Sequence, residues 1–250
     1  MDNQTVADFW DDFAPDYVAA QRESRLPITT DLTAYLTQQN ILPHARILDV
    51  GGGAGRFALP FAQVARQVTI SDISQQMLNF AQQAAQAAGL TNIEFQQIAW
   101  SQLAARPQAD VVFASMLPLA PKDLAKFSQF ARQVAVLNRA VTHTDSISTE
   151  LQQLLDLPPV DDPTNDAAIF QKYVQTVRQL GYQPLQQTFT YHLTEQVTQE
   201  MLVAELDDEL TLDQKKVFAA WCVKKFADNR EITAQQTYVF KTLLWRLELQ

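Results

Sequence analysis

The sequence predicts an α/β protein, a doubly wound, mostly parallel sheet of seven strands, with helices before it and a helical insertion ahead of the last strand. Three observations carry that prediction. Between residues 45 and 141, short apolar runs rich in branched side chains alternate with helical patterns; such alternation builds right-handed βαβ units and a parallel sheet. The first of these runs passes directly into a turn, RILDVGGGAGRF (46–57), that holds four of the chain's six glycines, Gly51, Gly52, Gly53 and Gly55. Beyond residue 141, two further alternating runs flank a stretch with helical spacing.

The elements follow in order. VADFWDDFAPDYVAA carries large apolar groups at helical spacing, so residues 4–40 read as helical, with a break near Pro15 and a second helix from Ile28 to Gln39. ARILDV (45–50) suits a buried strand, and RFALPFAQVA a helix with Pro60 in its first turns. QVTISD (67–72) is the second strand. SQQMLNFAQQAAQAAG (74–89) is a helix, with Ser74 as N-cap and Gly89 as its stop. NIEFQQIAW (92–100) contains the third strand, ADVVFASM (109–116) is the fourth, KDLAKFSQFARQ (122–133) a helix and VAVLNRAV (134–141) the fifth strand. The pattern then loosens, and DLPPVDDPTND (156–166) reads as a linker. AAIFQKYVQTVRQLGY reads as a helix stopped at Gly181, YQPLQQTFTYHLT (182–194) as a strand, 195–229 as two helices, and QQTYVFKTLLWRLE (235–248) as the last strand.

Composition narrows the function classes. The 250 residues are 47% hydrophobic and 19% charged, with mean hydropathy −0.16, as in a globule able to bury a sizeable core. A net charge of −9 and a pI near 4.8 repel phosphate backbones and anionic lipid, so neither nucleic acid nor membrane is an expected partner. A single cysteine, Cys222, excludes an internal disulfide and a cysteine-based metal site; within FAAWCVKKF it reads as a small buried hydrophobe. The acidic start, MDNQTVADFWDD, lacks a basic region followed by an apolar run, and no apolar stretch is long enough to span a bilayer. The expected location is cytoplasmic.

A strand that ends in glycines and opens into a helix makes a ligand cradle. Glycine admits backbone angles closed to other residues and lets a ligand approach the main chain, while the helix amides favour negative or polar groups. A phosphate-binding loop needs Gly-Lys-Ser/Thr, but Gly55 is followed by Arg56 and Phe57. The dinucleotide fingerprint wants its third glycine where Arg56 stands. The observed spacing is acid-x-G-x-G-x-G: Asp49, Gly51, Gly53, Gly55.

That spacing in ILDVGGGAGRFALPFA, together with ISDIS, resembles the class I S-adenosylmethionine-dependent methyltransferases, whose fold is Rossmann-like. The resemblance covers residues 40–142 well and the later element order more loosely. It implies a methyltransferase enzyme with S-adenosyl-L-methionine as cofactor. It also divides a single domain into an N-terminal helical lid (1–40), a cofactor-binding core (41–142), a late core (143–194), a helical insertion (195–234) and a last strand (235–250).

The resemblance also assigns site residues. Asp49 orients the loop, and Gly51, Gly53 and Gly55 form the turn. Asp72, closing the second strand, takes both ribose hydroxyls, since a carboxylate accepts two hydrogen bonds and a vicinal diol offers two. Ile73 and Met77 flank the adenine, although Met77 also has the helical spacing of a core residue. In IAWSQL (98–103), Ala99 and Trp100 stand where the family often has Asp or Asn, which leaves the adenine edge to backbone groups. Ser115 and Met116 match the cofactor- and substrate-facing position; SMLP (115–118) differs from the Asn/Asp-Pro-Pro-aromatic motif of many nitrogen methylases. FWDDFAPDY (9–17) resembles the aromatic lid of small-molecule methyltransferases, with Trp10 and Tyr17 over the cofactor. His143, read in a polar loop after strand five, is the one candidate base; His44 and His192 have no partner pattern. The expected partners are a small-molecule acceptor and a second copy bound through the helical insertion. Two other readings remain, a non-catalytic binding protein that keeps the fold and an NAD-dependent dehydrogenase.

Overall fold

In the computed structural model, which describes residues 2–158, 166–206, 210–227 and 229–247, RILDV forms β1 (Arg46–Val50), buried at every position after the first. Such a strand is covered on both faces, so its sequence is a continuous apolar run. It pairs in parallel with β2 (Gln67–Asp72) on one side and β4 (Ala109–Ser115) on the other, Ile47 lying opposite both Val68 and Val111. The sheet of seven strands has the order β3-β2-β1-β4-β5-β7-β6, with β3 (Ile93–Gln97), β5 (Ala131–Asp145), β6 (Leu185–Thr198) and β7 (Glu231–Arg246). It is mostly parallel, with one antiparallel hairpin at its end. The order reverses beside β1, where doubly wound sheets bind ligands outside the carboxyl ends of their strands.

The helices are α1 (Asn3–Glu23), α2 (Ile28–Gln38), α3 (Ala58–Ala62), α4 (Gln75–Ala87), α5 (Leu124–Ser128), α6 (Ser146–Leu155), α7 (Ala167–Gln179), α8 (Gln199–Leu206) and α9 (Leu212–Lys225). Four differ from the expected elements. α1 runs unbroken through Pro15, whose ring lies on the exposed face, away from the packed side at Ala14 and Val18. The expected helix 122–133 contracts to α5, because Ala131, Arg132 and Gln133 already belong to β5. β5 continues to Asp145, which caps α6, a helix not foreseen: its side chain accepts from the N–H groups of Ile147 and Ser148 at 2.9 Å. Residues 195–198, expected as helix, extend β6. Most of the linker-like segment, 159–165, lies outside the described residues.

Two compact units share the chain. The first takes residues up to Arg139, Ala168–Thr188 and those from Lys241; the second takes Ala140–Ala167 and Phe189–Phe240. In the first, Phe57, Phe61 and Phe113 pack ring to ring, and buried Trp245 donates its indole N–H to Ser128 Oγ at 3.0 Å. The second has its own apolar core, built from Ile147, Leu151, Leu155, Phe218, Trp221 and Cys222. Cys222 is 1% exposed, as its amphipathic context requires, and burial pushes its thiol pKa up. The expected insertion 195–234 lies within this second unit, which also takes in 140–167.

Candidate functional site

The turn after β1 is held from β2. The N–H groups of Gly51 and Gly52 both donate to the Ser71 carbonyl, at 2.7 and 3.2 Å, and Gly55 N–H donates to the Gly52 carbonyl at 2.9 Å. Gly51, Gly53 and Gly55 have φ of +66°, +53° and +82°, the left-handed region that favours glycine. The sequence suggested that all of these glycines admit a ligand, and the structure divides the work differently. A Cβ on Gly51 would lie 2.8 Å from Leu117 Cδ1, and one on Gly52 would lie 2.7 Å from Asp49 Oδ2; these two make room for the protein's own side chains. At Gly53 the nearest atom to such a Cβ is Met77 Sδ at 3.8 Å, ordinary contact, so the main chain there is open to approach.

Asp72 ties that open residue to α4. Its Oδ2 accepts the Gly53 N–H at 2.9 Å and its Oδ1 accepts the Ser74 N–H at 2.9 Å. Each oxygen keeps lone-pair capacity for a further donor. Ser74 caps α4 as expected, accepting from Met77 N–H at 3.0 Å, and donates its hydroxyl to Asp11 Oδ1 at 2.6 Å. Asp11 also accepts the Gln76 N–H at 2.9 Å, so a residue of α1 completes the helix start. Asp11 was not among the expected site residues.

Asp49 is 2% exposed; burial, then the charge of Asp72, pushes its pKa up to about 8. Asp72 is raised too, chiefly by burial, with the bonds from Ser74 and Gly53 opposing. Two carboxyls that share a low-dielectric site disfavour each other's ionisation, and a cation placed between them reverses that. These acceptors therefore complement a cation that brings hydrogen-bond donors.

The neighbouring strand ends complete the rim. Ile98 N–H donates to the Asp72 carbonyl at 2.8 Å and leads into buried Ala99 and half-buried Trp100, over whose ring Lys126 Nζ stands at 5.6 Å. Ile73, half-buried, follows Asp72, and its carbonyl accepts from Gln97 Nε2 at 3.4 Å. At the mouth of β4, Ser115 Oγ accepts from Asn138 Nδ2 at 3.0 Å, while Asn138 Oδ1 accepts from Thr242 Oγ1 at 3.0 Å. The following loop is pinned as well. Met116, at φ +59°, donates its N–H to the Asn138 carbonyl at 3.0 Å; Arg139 Nη1 reaches the Leu117 carbonyl at 3.3 Å, and the Tyr173 hydroxyl donates to the Leu119 carbonyl. Asn138, Arg139, Tyr173 and Thr242 carried no sequence signal, because nothing local distinguishes a buried polar residue from its strand neighbours.

α1 covers the turn. Its Ala14 and Val18 form a buried cluster with Ala54 and Met77, edged by Trp10, Tyr17 and Phe80. Met77 is thus 3% exposed and packed beside Gly53, while Tyr17 lies near enough to Asp49 and Asp72 for their charges to help burial raise its pKa. His143 is not in a loop: it is an exposed residue of β5 within the second unit, its ring stacked on Tyr238 at 4.2 Å. His192 Nδ1 pairs with Thr237 Oγ1 at 3.1 Å. Among the described residues no group of three His, Cys, Asp or Glu is placed to hold a metal ion, and no helix is long and apolar enough to cross a membrane.

The fold is the Rossmann-like one of solved class I methyltransferases. Residues 47–139 match the profile of a family described as a methyltransferase domain. Over 51 residues the chain is 45% identical to the tRNA 5-carboxymethoxyuridine methyltransferase of Escherichia coli K12, a match that spans a fifth of each protein. Among solved structures, the magnesium protoporphyrin IX methyltransferase of Synechocystis PCC 6803, with bound S-adenosylhomocysteine, superposes with a TM-score of 0.57 at 16% identity, covering 97% of this chain and 99% of that one. The [4+2]-cyclase SpnF superposes with a TM-score of 0.58 at 19% identity, covering 98% and 97%.

Proposed function

We propose that the protein is an S-adenosylmethionine-dependent methyltransferase acting on a small organic acceptor. The observation that carries this reading is the pair of buried carboxyls, Asp49 and Asp72, beside a turn whose main chain is open at Gly53. S-adenosylmethionine brings a cationic sulfonium, an ammonium and a ribose diol, and when bound it supplies an activated methyl group. The chain's part is to bind and orient. The free lone pairs of Asp72 serve the ribose diol, and Asp49 gives up its proton to meet the ammonium of the amino-acid end. Ile73, Ala99 and Trp100 supply the apolar rim for the base, with Met77 packed beneath the turn. Ser115 presents its hydroxyl from the end of β4, held by Asn138, and Tyr17 with Trp10 excludes water from above. Holding donor and acceptor in line accounts for much of such catalysis, so a histidine base is not required and His143 is given no role.

A net charge of −9 favours a small acceptor over RNA. The tRNA named for the Escherichia coli relative belongs to a protein matched over a fifth of its length. The shared fold of a cyclase shows that architecture alone does not decide the chemistry. Calorimetric titration tests the cofactor: S-adenosylhomocysteine should bind and NAD should not, and Asp72→Asn should weaken binding at least tenfold, because one acceptor becomes a donor facing a donor. Affinity for NAD alone would end this reading. A screen of small acceptors beside bulk tRNA, followed by S-adenosylhomocysteine release, tests the acceptor; turnover on tRNA only would overturn that half.

A further inference from the structure

We propose that a second cavity in the first unit, between α1 and α4 on the outgoing limb of the glycine turn, binds a small organic carboxylate with an apolar body. The cavity holds about 490 Å³. Apolar walls come from Val18, Leu26, Leu59 and Phe80, and the polar lining includes Gln21 and Arg56. Among the described residues no Asp or Glu lines it, although the chain as a whole carries −9.

Two donors there lack acceptors. Among the described residues no carboxylate lies within ion-pairing distance of the Arg56 guanidinium, which is half-buried, with its carbon 5.8 Å from the centre of the Phe57 ring. Burial lowers its pKa and the charge of the Tyr17 phenol opposes that; an arginine still keeps its proton at neutral pH. Gln21 Nε2 is buried with no acceptor at full hydrogen-bond geometry, and a side-chain contact of Gln21 with the Tyr17 phenol works to lower that phenol's pKa. Exposed Arg22 stands at the rim. A half-buried guanidinium without a carboxylate partner and a neighbouring amide donor, set above an apolar floor, complement an anion that brings acceptors at one end and hydrocarbon at the other. The lining shares Ala54 and Arg56 with the glycine turn but does not include Asp49, Gly53, Asp72 or Ile73.

Hexanoate is the test ligand, with acetate and hexanamide as controls for tail and charge, followed by ligand-observed NMR and calorimetry on the full chain. Hexanoate should bind at least tenfold more tightly than either control, and Arg56→Gln should cost it tenfold or more. Gln21→Leu gives a second reading, with a loss of threefold or more. S-adenosylhomocysteine binding serves as the folding control and should be unchanged in both variants. No hexanoate binding, or binding indifferent to Arg56→Gln, overturns the proposal. So does mutual exclusion of hexanoate and S-adenosylhomocysteine coupled to loss of both in Arg56→Gln, which would assign the guanidinium to the cofactor's own carboxylate. Hexanoate binding without S-adenosylhomocysteine binding would leave this cavity standing and sink the methyltransferase reading instead.

Discussion

Asp49 is the residue whose chemistry reports most directly on the site. Unfolded, it ionises near the ordinary 3.8; folded, it keeps its proton to about 8. Between those values the unfolded state releases the proton more readily, so this residue's contribution lets stability fall as pH rises across the window and levels off above it. A ligand carrying an ammonium favours the carboxylate and expels that proton. Binding of S-adenosylhomocysteine at about pH 6 should therefore release close to one proton, and almost none above about pH 9. Calorimetry in phosphate and in imidazole, whose ionisation heats differ, reads the difference, and equal heats in both buffers at the lower pH would refute it. The glycines separate at the same scale. Gly52→Ala forces a methyl into Asp49 Oδ2 and Ile70 and should cost about 1–3 kcal/mol of stability by urea denaturation. Gly53→Ala has room and bears only its positive φ, about 1 kcal/mol, but it should weaken the cofactor, whose approach the bare backbone permits. If the two variants were equally destabilised, this division of labour would be wrong.

At the scale of elements, the junction of α1 with α4 shows what a linear reading reaches and what it does not. Ser74 was legible as a cap because capping is local: its own hydroxyl accepts from the N–H three residues on. The strands of the core were legible for a similar reason, periodicity being a property of a short window, whereas Asp49 and Asp72 were singled out by resemblance and their part in holding a cofactor is a proposal. Asp11 was not, since its partners lie 63 and 65 residues away. The unbroken course of α1 through Pro15 is likewise a tertiary effect, with Ala14 and Val18 anchored on Met77 while the proline faces water. α6 escaped notice because its cap, Asp145, closes a strand that the sequence seemed to end at residue 141. Asp11→Ala removes two acceptor contacts at once and should lower stability by about 1–2 kcal/mol. Because α1 rests on the turn through that junction, amide exchange should accelerate in α1 and at the start of α4 before it does in the sheet. An unchanged urea midpoint with unchanged exchange would show that the helix is held by its apolar face alone.

Across the whole molecule, two cores are built from different residues, and only one of them contains the cradle. Asp49, Gly53, Asp72 and Ser115 all belong to the first unit. The second closes around its own polar tie: Glu150 Oε1 accepts the Trp221 indole N–H at 2.9 Å, and Oε2 accepts Lys225 Nζ at 2.7 Å. These bonds, Lys225 first, hold the Glu150 pKa below its usual value. That contribution is present above the ordinary carboxylate range and fades as pH falls through the lowered folded value. The side chains are 42% and 35% exposed, so screening by water leaves most of the effect to the indole bond, about 1 kcal/mol. Glu150→Ala should therefore weaken the second unit by about that much, seen as a red-shifted Trp221 emission at lower urea, and the shift should be absent in a Trp221→Phe background. The affinity for S-adenosylhomocysteine should stay within about twofold, because no atom of the cradle depends on Glu150. A tenfold loss of that affinity would mean that cofactor binding draws on the folding of both units, and the cradle would then have to be treated as a property of the entire chain.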